Sequence, residues 1–237
     1  MLAGALNSVA GGGSFIAFPA LILSGVPPIA ANATNSAALW LGTLASARGY
    51  RREIAEHRHL LVRVAAVSIA GGVLGAVLLL RTPGHVFTVL IPYLLLLATG
   101  VFALSPYLTK PRSGSARLHS HWQLAAQFVV SIYGGYFGAG IGILMLAILA
   151  FSRLPSLNAM NGVKNVLALC INGVALIPFL IAGIVWWPQA TLMAAGAIIG
   201  GYLGARIGRR IPAQHLRRFV IAVGVIMTVY FFAKAYA

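Results

Sequence analysis

The first charged side chain in the sequence is Arg48, and no Asp, Glu, Lys or Arg occurs from Val86 to Thr109. A helix needs an apolar run of roughly 20 residues to cross the hydrocarbon layer, where its backbone must satisfy its own hydrogen bonds. Divided at its basic and proline breaks, the chain holds eight such runs, at 2–25, 27–48, 60–80, 84–105, 122–152, 155–182, 188–208 and 213–235. The expectation is an all-α integral membrane protein of about eight transmembrane helices. Only 8% of the 237 residues are charged, against about 25% in an ordinary soluble domain. No cleavable leader is read at the N-terminus, so the first run is expected to target the membrane itself.

The chain carries 17 Lys and Arg against 2 Asp and Glu, a net charge of +15. In a soluble domain that excess would point to nucleic acid. Here the basic residues fall mostly between apolar runs, where they orient the chain and contact anionic lipid head groups, so nucleic acid is not an expected partner. The densest basic segments are 48–63, 110–117 and 206–218. Eight spans put the third opposite the other two, and the positive-inside rule then assigns 48–63 and 110–117 to the cytoplasm. Three cytoplasmic segments would instead require a re-entrant stretch. Cys170 is the single cysteine, which excludes a disulfide framework and a zinc spacing. Paired carboxylates, HExxH and the Walker A spacing are all missing, so the chain is not read as an enzyme, and no cofactor or metal is implied.

Sliding the sequence by 129 residues without a gap lays "IAGGVLGA" at 69–76 on "IIGGYLGA" at 198–205. The same register pairs Gly11 with Gly140, Gly13 with Gly142, Asn32 with Asn161 and Pro83 with Pro212. This predicts an internal duplication: a four-helix repeat over 1–109, a basic Gly/Ser-rich connector over 110–121 and a second four-helix repeat over 122–237. Parallel and inverted arrangements both remain open.

The glycine runs "AGGGS" (10–14) and "GGYFGAGIG" (134–142) interrupt the first helix of each repeat at equivalent places. Glycine weakens a helix by about 1 kcal/mol relative to alanine. In a transporter such breaks present half-helix N-termini, whose free amides bind anions. Gly12, Gly13, Gly138 and Gly140 are candidates for that role. Close helix contact alone is the other explanation of the glycines. It is the preferred one for Gly196, Gly200, Gly204 and Gly208, spaced by four, with Gly71 and Gly75 as a partial copy.

The second and sixth runs carry the polar residues, and under the same shift these coincide. Asn32, Asn35, Ser36 and Thr43 answer to Asn161, Lys164, Asn165 and Asn172. The spacing i, i+3, i+4, i+11 draws each set along one helical stripe. Interhelical hydrogen bonding could account for the asparagines but not for the lysine. Lys164 lies nine residues past Pro155, about 13.5 Å of helix and near the middle of a core about 30 Å thick. An uncompensated cation there costs at least about 2.5 kcal/mol. The only acids, Glu53 and Glu56, both fall in a loop. Exposed carbonyls, loss of the proton or an anion from outside must satisfy the lysine. The third would be a function, with Lys164 as counter-charge and Asn161, Asn165, Asn172, Asn32 and Asn35 as orienting donors.

The stretch "GGGSFIAFPALILSGVPPIAANATNSAALWLGTLASARGYRREI" (11–54), together with "NAMNGVKNVLALCING" (158–173), resembles the sulfite exporter TauE/SafE family of bacterial membrane proteins. The resemblance implies a secondary carrier in the bacterial inner membrane that moves sulfite or organosulfonate-type anions between two four-helix repeats. On its match to the family segment, Thr34 joins the candidate donors. The resemblance also implies a start later than family members have, with little helix ahead of Gly11. Two other readings stand beside it: uptake of a different small anion or acid, and a non-transporting membrane scaffold. A cavity containing Lys164 separates carrier from scaffold. Substrate, direction and coupling ion are not legible, and a homodimer is left open.

Overall fold

In the computed structural model, residues 1–10, 12–49, 55–56, 58–108, 120–152, 154, 157–207 and 213–236 are described. Gly11, Arg51, Arg52, Glu53, Pro155, Gly208, Pro212 and most of the 110–121 connector lie outside them, and so do 50–54, 57, 110–117 and 208–212 of the basic segments on which the orientation rests. The described residues form ten helices and no strand. They are α1 (Leu2–Ala10), α2 (Ser14–Leu23), α3 (Pro28–Gly49), α4 (Arg58–Arg81) and α5 (Gly84–Leu108), then α6 (Ser120–Tyr136), α7 (Ile141–Leu149), α8 (Leu157–Ile181), α9 (Trp187–Ile207) and α10 (Ala213–Tyr236).

Each of the eight apolar runs holds one helix, except 2–25 and 122–152, which hold two apiece on either side of a glycine run. Proline opens α3 and stands in the first turn of α9, where its missing N–H breaks no helical bond. Among the described residues four stretches are long and apolar enough to cross a bilayer: Leu60–Arg81, Gly84–Leu108, Ala159–Ile181 and Arg218–Tyr236. Large apolar side chains such as Leu96, Leu97, Ile226 and Val229 point outward and exposed, as lipid-facing residues do.

Packing distributes the helices around a central crossing. α4 lies along α6 and α8, α9 lies along α1 and α3, α5 packs on α7, α10 packs on α2, and α3 crosses α8. The glycines allow the closest approaches. A Cβ at Gly75 would run into the Ile132 carbonyl, and one at Gly200 into that of Met1. Small residues at a helix interface permit this backbone proximity. Aromatic rings fill the space around the breaks: Phe18 meets Phe137 edge-on at 5.3 Å, Phe15 meets Phe102 at 5.7 Å and Phe87 meets Tyr136 at 5.8 Å. Such pairs add roughly 0.5–1.5 kcal/mol beyond their buried area, and they clamp the α6–α7 junction against α2 and α5.

Candidate functional site

Where α3 crosses α8, the two polar stripes enclose a cavity of about 50 Å³. At roughly 10–15 Å³ for each water-sized position, it has room for a few such groups, the scale of a small oxyanion. α3 contributes Asn35, Ser36, Leu39 and Thr43, and α8 contributes Lys164, Asn165, Ala168 and Asn172. The remaining wall comes from both helix breaks: Asn7 and Ser14 at the first, Phe137, Gly138, Ile141 and Gly142 at the second.

Lys164 is the one ionisable side chain in this wall and is only 8% exposed. It stands seven residues into α8, about 10 Å from the helix start. Among the described residues no carboxylate or hydrogen-bond acceptor engages its ammonium group, and Glu56 is exposed on the surface. Opposite it, Asn35 donates from Nδ2 to Ser14 Oγ at 3.1 Å while its Oδ1 is buried without a partner. Among the described residues the cavity therefore combines one amine with neutral polar groups and no carboxylate.

The second break is a true reversal of backbone conformation. Gly138 and Gly140 have φ of +77° and +73°, values that favour glycine for want of a Cβ. Gly140 caps α7. The amides of Ile141 and Ile143 bond to the carbonyls of Gly138 and Gly140 at 3.3 and 3.0 Å. Between them, the Gly142 amide has no backbone acceptor among the described residues, and Gly142 faces the cavity. The first turn of α7 thus presents an unused donor and a positive dipole end there. At the first break Gly13 keeps a helical φ of −58°, and a Cβ on it would strike the Ala3 carbonyl. Close packing explains that glycine.

Of the sequence-predicted residues, Lys164, Asn165, Asn172, Asn35 and Gly138 come together in the wall. Asn161, Asn32, Thr34, Gly12, Gly13 and Gly140 do not line it. Asn32 donates from Nδ2 to the Tyr136 carbonyl at 3.0 Å, which caps the end of α6. The Thr34 hydroxyl oxygen accepts the Trp186 N–H at 3.0 Å, tying α3 to the approach to α9. Gly12 is packed against Val220 and Phe102. Asn7, Ser14 and Gly142 were not among the candidates. The legible signal was polarity or smallness within the glycine runs for Ser14 and Gly142, and for Asn7 a polar residue one helical turn ahead of the first run.

The profile of the family described as Sulfite exporter TauE/SafE matches residues 1–231. The chain belongs to the sulfite exporter TauE/SafE family. Similar proteins include a "probable membrane transporter protein ORF9" of Sinorhizobium sp, 29% identical over 235 residues that cover 96% of this chain and 87% of that protein. A "probable membrane transporter protein" of Haemophilus influenzae is 27% identical over 227 residues, covering 94% and 88%. The "probable membrane transporter protein YfcA" of Escherichia coli K12 is 27% identical over 231 residues, covering 96% and 85%. No solved structure matches the chain. As a TauE/SafE protein it is a multi-pass membrane protein of a transporter family, not an enzyme.

Proposed function

We propose that this TauE/SafE protein is a secondary carrier of a small anion, sulfite or an organosulfonate by its family, bound in the central cavity with Lys164 as counter-charge. One observation carries the reading: a buried lysine amine lines a cavity to which no acid contributes among the described residues. At membrane depth such a cation needs a partner, and a transported anion is one. Asn35, Asn165 and Asn172 orient the anion, and the Gly142 amide meets it at the helix end, where dipole and free donor both favour negative charge. The bacterial relatives support placement in a bacterial inner membrane.

The reading includes eight spans in two duplicated halves. Its support is reciprocity of packing: α4 meets α6 and α8 as α9 meets α1 and α3, and α5 meets α7 as α10 meets α2. Trp40 donates to the carbonyl of Leu169, the residue 129 positions on, so equivalent positions touch at the crossing.

The test is anion-dependent thermal stabilisation of the purified protein, compared between the parent and Lys164→Gln across sulfite, sulfate and small sulfonates. Glutamine keeps a polar side chain without the charge, and no buried acid loses its partner, so folding survives. Loss of a charge-assisted contact weakens binding by roughly 10- to 100-fold. Equal stabilisation of both proteins would remove Lys164 from the site. A scaffold would lose stability in the variant and respond to no anion in either form.

A further inference from the structure

We propose that residues 122–152 form a re-entrant hairpin, not a span, and that the end of the bundle on which it opens is the cytoplasmic one, seated on anionic lipid head groups. Gly138 and Gly142 near the tip of the hairpin line the cavity assigned above to the anion, so that site is kept and only the count of eight spans changes.

Helix directions carry the hairpin. α4 and α6 run side by side in the same direction. Gln127 Nε2 donates to Ser68 Oγ at 3.0 Å, a Cβ on Gly71 would meet Ser131 and one on Gly75 the Ile132 carbonyl, and the Tyr136 hydroxyl lies 3.3 Å from Thr82 Oγ1. α7 then runs back along α6. The Gly138 amide bonds to the Tyr133 carbonyl at 3.1 Å, and Gly138 and Gly140 both have a left-handed φ, the sharp turn in which helices commonly end. Past it, a Cβ on Gly134 would strike Ile141 at the start of α7, and Gln123 near the start of α6 donates to Ser152 just beyond the end of α7. A segment that ends beside its own beginning has not crossed the bilayer.

The other helices agree on which ends lie together. Asn32, near the start of α3, donates to the Tyr136 carbonyl at the end of α6. α9 follows α3 in parallel, from Thr34 beside Trp186 to Gly42 beside Ala197. α10 runs against α5, with Phe232 and Tyr236 at Tyr93 and Gly224 at Thr99. One end of the bundle therefore gathers the ends of α3, α5, α7 and α9 and the starts of α4, α6, α8 and α10. α3 and α8 cross in opposite directions, as inverted repeats do.

The basic segments 48–63, 110–117 and 206–218 all fall at or between those gathered ends. Together with Arg153, between α7 and α8, they take every Lys and Arg except Lys164 in the cavity and Arg81 and Lys234 toward the opposite end. Basic residues flanking spans mark the cytoplasmic side, whose leaflet carries anionic lipid. Eight spans would leave 206–218 outside, and the hairpin removes that exception. Exposed Trp122 at the basic end and exposed Trp186 and Trp187 at the other suit the two membrane interfaces.

The experiment reads sidedness and lipid contact. In a Cys170→Ser background, His121→Cys and Gln214→Cys mark the basic end, and Gly84→Cys and Ala182→Cys the other, where a Cβ on Gly84 meets nothing within 4 Å and Ala182 is exposed. A membrane-impermeant maleimide applied to intact cells is expected to label positions 84 and 182, and to reach 121 and 214 only after permeabilisation. Labelling at 214 with protection at 182 would make 122–152 a crossing and overturn the hairpin. Labelling at 121 and 214 with protection at 84 and 182 would overturn the cytoplasmic assignment. Ala213→Cys and Trp187→Cys stand in for positions 214 and 182 should either variant fail to fold. In neutral detergent, phosphatidylglycerol is expected to raise the unfolding midpoint above that with phosphatidylcholine. Neutralising two exposed arginines of the basic end, in Arg63→Gln/Arg218→Gln, should shrink the difference by about 4 °C. Equal midpoints with the two lipids would overturn the lipid contact. No arm uses the transported anion, so an anion site lost in Lys164→Gln leaves every one of these outcomes in place.

Discussion

α3 and α8 cross at the centre of the molecule with the same polar spacing, yet α8 carries an ammonium group where α3 carries an amide. Asn35 and Lys164 are equivalent under the 129-residue shift and face one cavity. The amide has found a local partner in Ser14, and the ammonium has none among the described residues. Packing is common to the two helices, while the charge is particular to one. Close packing and charge on these two helices are thus under separate physical control. Small residues fix how closely the helices approach, and the residue at one position, asparagine on α3 and lysine on α8, decides whether an amine faces the space between them.

The most disruptive way to break this asymmetry is to give α3 the opposite charge. Asn35→Asp supplies Lys164 with an internal counter-ion inside the cavity, so an external anion must displace a carboxylate or share the lysine with it. Anion-dependent stabilisation is expected to fall by about 100-fold or more in apparent affinity, because a like charge now faces the ligand at low dielectric. Thermal stability without ligand should hold or rise, since the buried cation gains a partner. Undiminished response to the anion in Asn35→Asp would separate the anion site from Lys164.

Much of this arrangement could be read before any coordinates, for identifiable reasons. Uncharged runs of membrane-spanning length leave the backbone little choice but helix, and the 129-residue register aligned Asn35 with Lys164 directly. Side-chain allegiance was the part that could not be read. Asn32 fits the stripe as well as Asn35 does, but it caps α6 because the chain ends that helix at Tyr136, a tertiary event with no signature within α3. Thr34 rested on family resemblance and proved committed to Trp186. The two glycine breaks read alike in sequence. Only backbone angles distinguish Gly138 and Gly140, which need a positive φ, from Gly13, which needs room.

A milder intervention tests whether the close packing is equivalent on the two sides. Gly71 and Gly200 correspond under the shift. A Cβ on Gly71 would lie 2.7 Å from the Phe128 carbonyl and from Ser131, while one on Gly200 meets the Met1 backbone. Leucine at either position must push a backbone, not a flexible side-chain end, and overpacking of this kind typically costs about 1–3 kcal/mol. Gly71→Leu and Gly200→Leu should therefore lower the midpoint of thermal unfolding in detergent by similar amounts. A drop in one with no change in the other would mean that one face looks toward lipid, and that the small-residue pattern is conserved in spacing only.

The smallest expected effect lies where the two helices touch. Trp40 Nε1 donates to the Leu169 carbonyl at 3.0 Å, and the indole fits there because the neighbouring position on α8 is Gly173, whose added Cβ would stand 3.0 Å from that nitrogen. Trp40→Phe keeps an aromatic ring at the crossing but removes the donor. One neutral hydrogen bond is worth about 0.5–1.5 kcal/mol, so unfolding should shift slightly while the cavity wall, one residue away at Leu39, keeps its chemistry. Anion-dependent stabilisation measured relative to each protein's own baseline should then be unchanged. The crossing and the cavity share residues on the same two helices, so this outcome is not automatic. If Trp40→Phe weakened the anion response as strongly as Lys164→Gln, the separation between common packing and one-sided charge would collapse, and the angle between α3 and α8 would itself be part of how the anion is held.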